Sequence, residues 1–171
     1  MHHSTRRHWL TTGLVALPVL VVGCGFTLSR PASYPFRTIH ITGTSLSTLG
    51  AELQRLLQAG GMVEVITDPR QIERAEVVLD LTQELRERVV IGRSSTGAVR
   101  ELQLRLRIRF RVRNREGIER IPDTEIVQQR DIRFSESVVL AKEAEEALLF
   151  RNMQTDLVLQ ILRRLAAIPQ V

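Results

Sequence analysis

The stretch "ELQLRLRIRFRVRNR", Glu101 to Arg115, alternates without a break. Leu102, Leu104, Leu106, Ile108, Phe110 and Val112 share one parity; Gln103, Arg105, Arg107, Arg109, Arg111 and Arg113 share the other. Successive side chains of a strand point to opposite faces, so this pattern predicts a strand with one buried face. Val77 to Ile91 reads as a second long strand, with Val77, Leu79 and Leu81 on one face and Asp80, Thr82 and Glu84 on the other. Between these two, "GRSSTG" (Gly92 to Gly97) is a loop, and "NREG" (Asn114 to Gly117) offers a hairpin turn. A break at Pro122 and Asp123 precedes a third long strand, Glu125 to Ser135, with Ile126, Ile132 and Phe134 on one side. Phe36 to Thr42 alternates as well and predicts a short strand.

Two segments carry the helical period instead. Leu46, Leu49, Leu53 and Leu56 recur at three and four; Gly43 and Ser45 precede them as breaker and cap, and Gly60 and Gly61 follow as a stop. "MVEVI" (Met62 to Ile66) is a brief extended piece before a turn at Asp68 and Pro69. The last stripe is Leu140, Ala144, Ala147, Phe150, Met153, Leu157, Ile161, Leu165 and Ile168, ended by Pro169. Within it "KEAEEA" (Lys142 to Ala147) reads as an acidic first turn favoured by the helix dipole. The order is strand, helix, three long strands, helix. It predicts an α+β domain in which two helices pack on one face of a mainly antiparallel or mixed four-stranded sheet, the other face staying polar.

The first residues follow a different logic. Arg6, Arg7 and His8 lead into an uncharged, mostly apolar run from Trp9 to Gly23, too short to span a bilayer comfortably. "VVGC" (Val21 to Cys24) closes the run and contains the sole cysteine. It resembles the lipobox of bacterial lipoproteins, where the cysteine thiol is acylated and the signal is cut before it. Residues 1–23 are therefore expected to be a lipoprotein signal peptide, 24–35 a lipidated N-terminus and tether, and 36–171 a single domain. "TRRHWL" (Thr5 to Leu10) also resembles a twin-arginine signal, so both export routes stay open. Two or three acyl chains anchor a protein stably. Residue 25 is Gly rather than the Asp that retains many lipoproteins at the inner membrane, which points to the outer membrane.

Composition narrows the chemistry. The chain has 24 basic and 19 acidic residues, and Lys142 is its only lysine. Beyond Cys24 the only histidine is His40, in a strand pattern. A His-assisted nucleophile has little to build on, a metal site would have one imidazole at most, and no glycine-rich phosphate loop is present. The reading is of a protein without catalytic activity, metal or cofactor.

The arginine ladder admits two readings. It is a solvated face with Glu84 and Asp131 among its counter-charges, or it is an anion-binding surface. Nucleic acid fits the charge, but the aromatic platform of a strand-based RNA reader is missing and the leader points out of the cytoplasm. An anion available there is the phosphorylated glucosamine headgroup of lipopolysaccharide.

Three further stretches carry a resemblance: "CGFTLSR" (Cys24 to Arg30), "STGAVRELQLRLRIRFRV" (Ser95 to Val112) and "VLAKEAEEALLFRNMQTDLVLQILRRL" (Val139 to Leu165). In this order and spacing, behind a lipobox, they resemble the lipopolysaccharide-assembly lipoprotein family LptE. The resemblance implies a non-enzymatic lipoprotein at the periplasmic side of the outer membrane. It also implies a 1:1 complex with the large barrel LptD, which the lipoprotein plugs, supports in assembly and assists in delivering lipopolysaccharide to the outer leaflet. It carries lipopolysaccharide contacts onto Lys142 and Arg93. Arg105, Arg107, Arg109 and Arg111 of the ladder are added as candidates from the charge pattern. The alternative is an accessory lipoprotein of a different envelope complex.

Overall fold

The computed structural model describes residues 33–43, 47–133 and 139–169, with side chains of the last segment from Lys142 onward. Cys24, Ser45, Leu46, Phe134 and the side chain of Leu140 lie outside the described residues.

The chain runs β1 (Thr38–Gly43), α1 (Thr48–Ala59), β2 (Glu64–Ile66), a 3₁₀ turn (Pro69–Arg74), β3 (Val77–Arg93), β4 (Val99–Asn114), β5 (Glu119–Arg133) and α2 (Val139–Ala166). The sheet has five strands in the order β2-β1-β3-β4-β5. The α+β class holds, but the strand count of four does not. The three-residue β2 adds to the outer side of β1, Ile39 beside Val65 and His40 beside Ile66. The sheet is evenly mixed: β1 runs parallel to β2 and β3, while β3, β4 and β5 form an antiparallel meander.

Leu104, Leu106, Ile108, Phe110 and Val112 of β4 are fully buried under the helices. Leu49, Leu53 and Leu57 of α1 and Met153, Leu157, Ile161 and Leu165 of α2 meet them from above. Leu57 replaces the expected Leu56 at the centre of the α1 contact; Leu56 packs half-buried beside it. Ser47 caps α1, its hydroxyl accepting from the Gly50 N–H at 3.2 Å. Ala144 and Ala147 of the predicted α2 stripe are exposed. The first turn of α2 holds no acid. Glu145 and Glu146 lie further in and pair with Lys142 and Arg88 rather than with the dipole.

The other sheet face is not wholly polar. The 3₁₀ turn folds onto it at the β1 end, where Ile72 packs on a small apolar cluster of Ile66, Ala75 and Val78. β5 begins before the predicted break. Pro122 and Asp123 sit where the register shifts between Phe110–Thr124 and Val112–Ile121, two residues opposite Arg111 alone. β5 is an edge strand, and an edge tolerates a proline that has no N–H to give.

A second bulge matters more. Leu81 lies opposite Phe110 and Gln83 opposite Arg109, which leaves Thr82 unpaired. Beyond it the parity of β3 is reversed. Glu84, Arg86 and Arg88 lie opposite Ile108, Leu106 and Leu104 on the helix side; Leu85 and Glu87 lie opposite Arg107 and Arg105 on the other. β1 ends at the same level, because Gly43 has φ +79° and a Cβ there would stand 2.0 Å from the Leu81 carbonyl oxygen.

Candidate functional site

The face away from the helices carries Arg105, Arg107, Arg109, Arg111 and Arg113 in one file along β4, as the burial of the alternate residues requires. Neighbours in the file stand about 6.6 Å apart, twice the strand rise, so the arrangement needs counter-charge. The flanking strands supply it. Arg107 donates to Glu87 of β3 at 2.9 Å and to Glu125 of β5 at 3.2 Å. Arg109 pairs with Asp123, which the β5 bulge presents. Arg111 and Arg113 both reach Asp80 Oδ2, at 3.0 and 3.3 Å, and Thr42 of β1 donates its hydroxyl to Oδ1 of the same carboxylate at 2.6 Å.

Asp80 is the most enclosed of these acids, with 11% of its side chain exposed. Burial pushes its pKa up, and the Thr42 hydroxyl with Arg111 and Arg113 outweighs that push, so the carboxyl titrates below its ordinary value. Arg107 is shifted upward, chiefly by its hydrogen bond to Glu87. Arg105 differs from the rest. It donates to the Gln103 amide oxygen at 2.7 Å and has no carboxylate partner among the described residues.

The two counter-charges expected from the sequence are placed otherwise. Asp131 accepts from the Gln103 amide at 2.9 Å, and Glu84 lies on the helix side, 3.3 Å from Arg86. The sequence signal that would have named Glu87, Glu125 and Asp80 is the cross-strand register, which depends on both bulges. Arg86 and Arg88 were not singled out from the sequence either. They occupy the helix side of β3, with Arg86 over the Phe150 ring and Arg88 bonded to Glu146 at 2.5 Å.

Arg93 ends β3 and donates to the Gly97 carbonyl at 3.1 Å across the turn to β4. Lys142 stands early in α2 and pairs with Glu145 at 2.6 Å. The pairing of Arg93 with Val99 and of Glu101 with Arg133, the end of β5 from which the chain leads on to α2, puts both at the same end of the sheet by topology. The ladder runs toward the opposite end. His40 is buried, its Nδ1 2.7 Å from the Ile66 carbonyl. Among the described residues no cluster of side chains could hold a metal ion, and no helix is long and apolar enough to cross a membrane.

The structure is thus a two-layer α+β domain whose cationic sheet face is largely charge-paired. The model of the LptE lipopolysaccharide-assembly family matches residues 36–165, and the chain belongs to that family, whose members are non-enzymatic lipoproteins. Lipoprotein B of Nitrosomonas europaea superposes with a TM-score of 0.71 and 31% identity over 84% of this chain and 91% of that one. Rare lipoprotein B of Shewanella oneidensis gives 0.64 and 23% over 77% and 95%. The minor lipoprotein of Acinetobacter baumannii gives 0.60 and 20% over 77% and 92%; these last two share the fold. No curated protein matches the chain.

Proposed function

We propose that this protein is an outer-membrane lipoprotein that plugs an LptD-type barrel, supports its assembly and helps pass lipopolysaccharide to the outer leaflet. The observation that carries the reading is the family match across the whole folded domain, residues 36–165. Residues 1–23 act as the signal, Cys24 receives the acyl chains and 24–35 tethers the domain to the periplasmic side of the membrane.

The lipid phosphates meet the end of the sheet that carries Arg93 and Lys142. Arg93 has its guanidinium on a backbone carbonyl rather than a carboxylate. The Lys142–Glu145 pair is a surface contact one turn apart, of the class worth about 0.2–0.5 kcal/mol, and a phosphate displaces it readily. In the ladder, Arg105 is the best placed to take an anion. Arg107, Arg109 and Arg111 must first give up their acids.

Purification of the native complex from membranes tests the reading. A stoichiometric large barrel is the expected companion; a different envelope protein in its place overturns it. Cys24→Ala should abolish palmitate labelling and release the protein from the outer-membrane pellet.

A further inference from the structure

The distal half of β3 has a feature that the function above does not use. β1 pairs with β3 only from Val77 to Leu81. From Gln83 to Arg93, β3 is bonded to β4 on one side, and among the described residues no strand pairs with its other side. About half a row of backbone N–H and C=O groups is therefore left open along that edge. The helix layer is open above the same strip. α1 has 12 residues and α2 has 28, lengths of about 18 and 42 Å, so α2 runs on beyond the start of α1. The result is a groove of about 640 Å³ lined by Arg86 and Arg88 of β3 and by Glu143, Glu146, Ala147, Phe150 and Arg151 of α2, three arginines against two glutamates. A bare strand edge beside a groove walled by a helix is the arrangement that takes an added strand.

The side chains along the edge say what that strand carries. On the helix side stand Arg86 and Arg88, 47% and 64% exposed, with Arg151 exposed across the groove. Arg88 engages Glu146 through Nε alone, and Arg86 bonds through one terminal nitrogen, so most of their ten N–H donors remain for an acceptor. On the opposite side Leu85 is 38% exposed and Val89 half-buried. We propose that Gln83–Arg93 is a docking edge for an extended segment of a partner protein in which acidic and apolar residues alternate. The acids face Arg86, Arg88 and Arg151; the apolar residues continue the Leu85 and Val89 side. A second copy of this chain is the competing occupant, since antiparallel pairing about Leu85 sets Glu84 against Arg86. Glu84 is 13% exposed and already bonded to its own Arg86, which leaves it little to offer another chain.

Amide hydrogen exchange on the full chain tests this, with a synthetic nine-residue peptide of alternating Glu and Val as probe. Exchange should slow at 83–93 and not at the β5 edge, 119–133. The same peptide with Lys for Glu should protect nothing, an arm that needs no variant. Arg86→Gln with Arg88→Gln should weaken binding of the acidic peptide by about tenfold, two lost charge pairs, measured below the variant's own melting midpoint, which falls because Glu84 and Glu146 lose their partners. Protection at β5, equal protection by both peptides, or none at saturating peptide overturns the proposal. So does protection of 83–93 without peptide that rises with protein concentration, which assigns the edge to a second copy.

Discussion

One strand, β3, lives under two regimes. From Val77 to Leu81 it is held between β1 and β4, roofed by the helices, with Val77, Leu79 and Leu81 fully buried. From Gln83 onward it has one bonded neighbour among the described residues and lies beyond the start of α1, and its helix side turns to Glu84, Arg86 and Arg88. The switch is a single extra residue, Thr82. A strand that alternates strictly would have carried Gln83 and Leu85 into the open groove and hidden Glu84 and Arg86 among the ladder. The bulge lets charged side chains take the helix side where α1 no longer covers it. The difference teaches that burial on this sheet is decided by where the roof ends, with the backbone adjusted to match.

Substitution by aspartate separates the two halves most widely. Leu79→Asp buries an unpaired carboxylate and should cost several kcal/mol, comparable to the stability of a domain, so that no cooperative melt remains. Val90→Asp, at a residue 39% exposed in the distal half, should shift stability by no more than about 0.5 kcal/mol. Equal losses would erase the distinction.

Asp80 ties the proximal half to the ladder through Thr42, Arg111 and Arg113. Asp80→Asn should cost about 1.5–3 kcal/mol at pH 7, the range for hydrogen bonds to a charged group. The folded-state pKa of Asp80 lies below its ordinary value. Its contribution is therefore complete above the unfolded pKa of about 3.9 and is lost as pH falls through the folded one. Denaturant midpoints of wild type and variant should converge in acid; a constant gap would show that the loss is steric.

Deleting Thr82 tests the switch itself. Leu81 and Gln83 already face the sides they would face in an unbulged strand opposite Phe110 and Arg109, so the deletion keeps every cross-strand pair. The cost should be about 1 kcal/mol, near the centre for single changes. Deleting Arg107 from β4, which has no bulge there, should prevent folding. The smallest effect belongs to Arg107→Gln with Arg109→Gln. Each removes solvent-screened ion pairs, and the melting curve should hardly move.

Much of the architecture was legible because it rests on long repeats of one period. β4 states its buried face five times over, from Leu104 to Val112, and the middle and end of the α2 stripe, Phe150 to Ile168, are buried as its spacing indicates. Asn114 and Gly117 make the expected turn, with Gly117 at φ +82° and the Asn114 side chain accepting from the Ile118 N–H. What stayed hidden is what a period cannot encode. β2 is three residues long and is a strand only because β1 lies beside it. Ala144 and Ala147 keep the helical spacing but are exposed. The bulge at Thr82 has no glycine or proline to mark it, so Glu84 was assigned to the wrong face and the partners of the ladder were missed. Arg93, Lys142 and the ladder could be named from the sequence, but their separation along the sheet comes only from the strand register.

The placement of β1 has a mechanical consequence. β1 lies between two strands that run parallel to it, paired through Ile39 to Gly43 on β3 and through Thr38 to His40 on β2. The chain enters it at Thr38, directly after the segment before Phe36. A load applied to its start along the strand axis bears on both neighbours. It stretches the hydrogen bonds on both sides together, in shear, instead of opening them one at a time. Pulling β1 out of the sheet would have to break both ladders together, and the load would pass through the longer of them into β3 and the meander beyond.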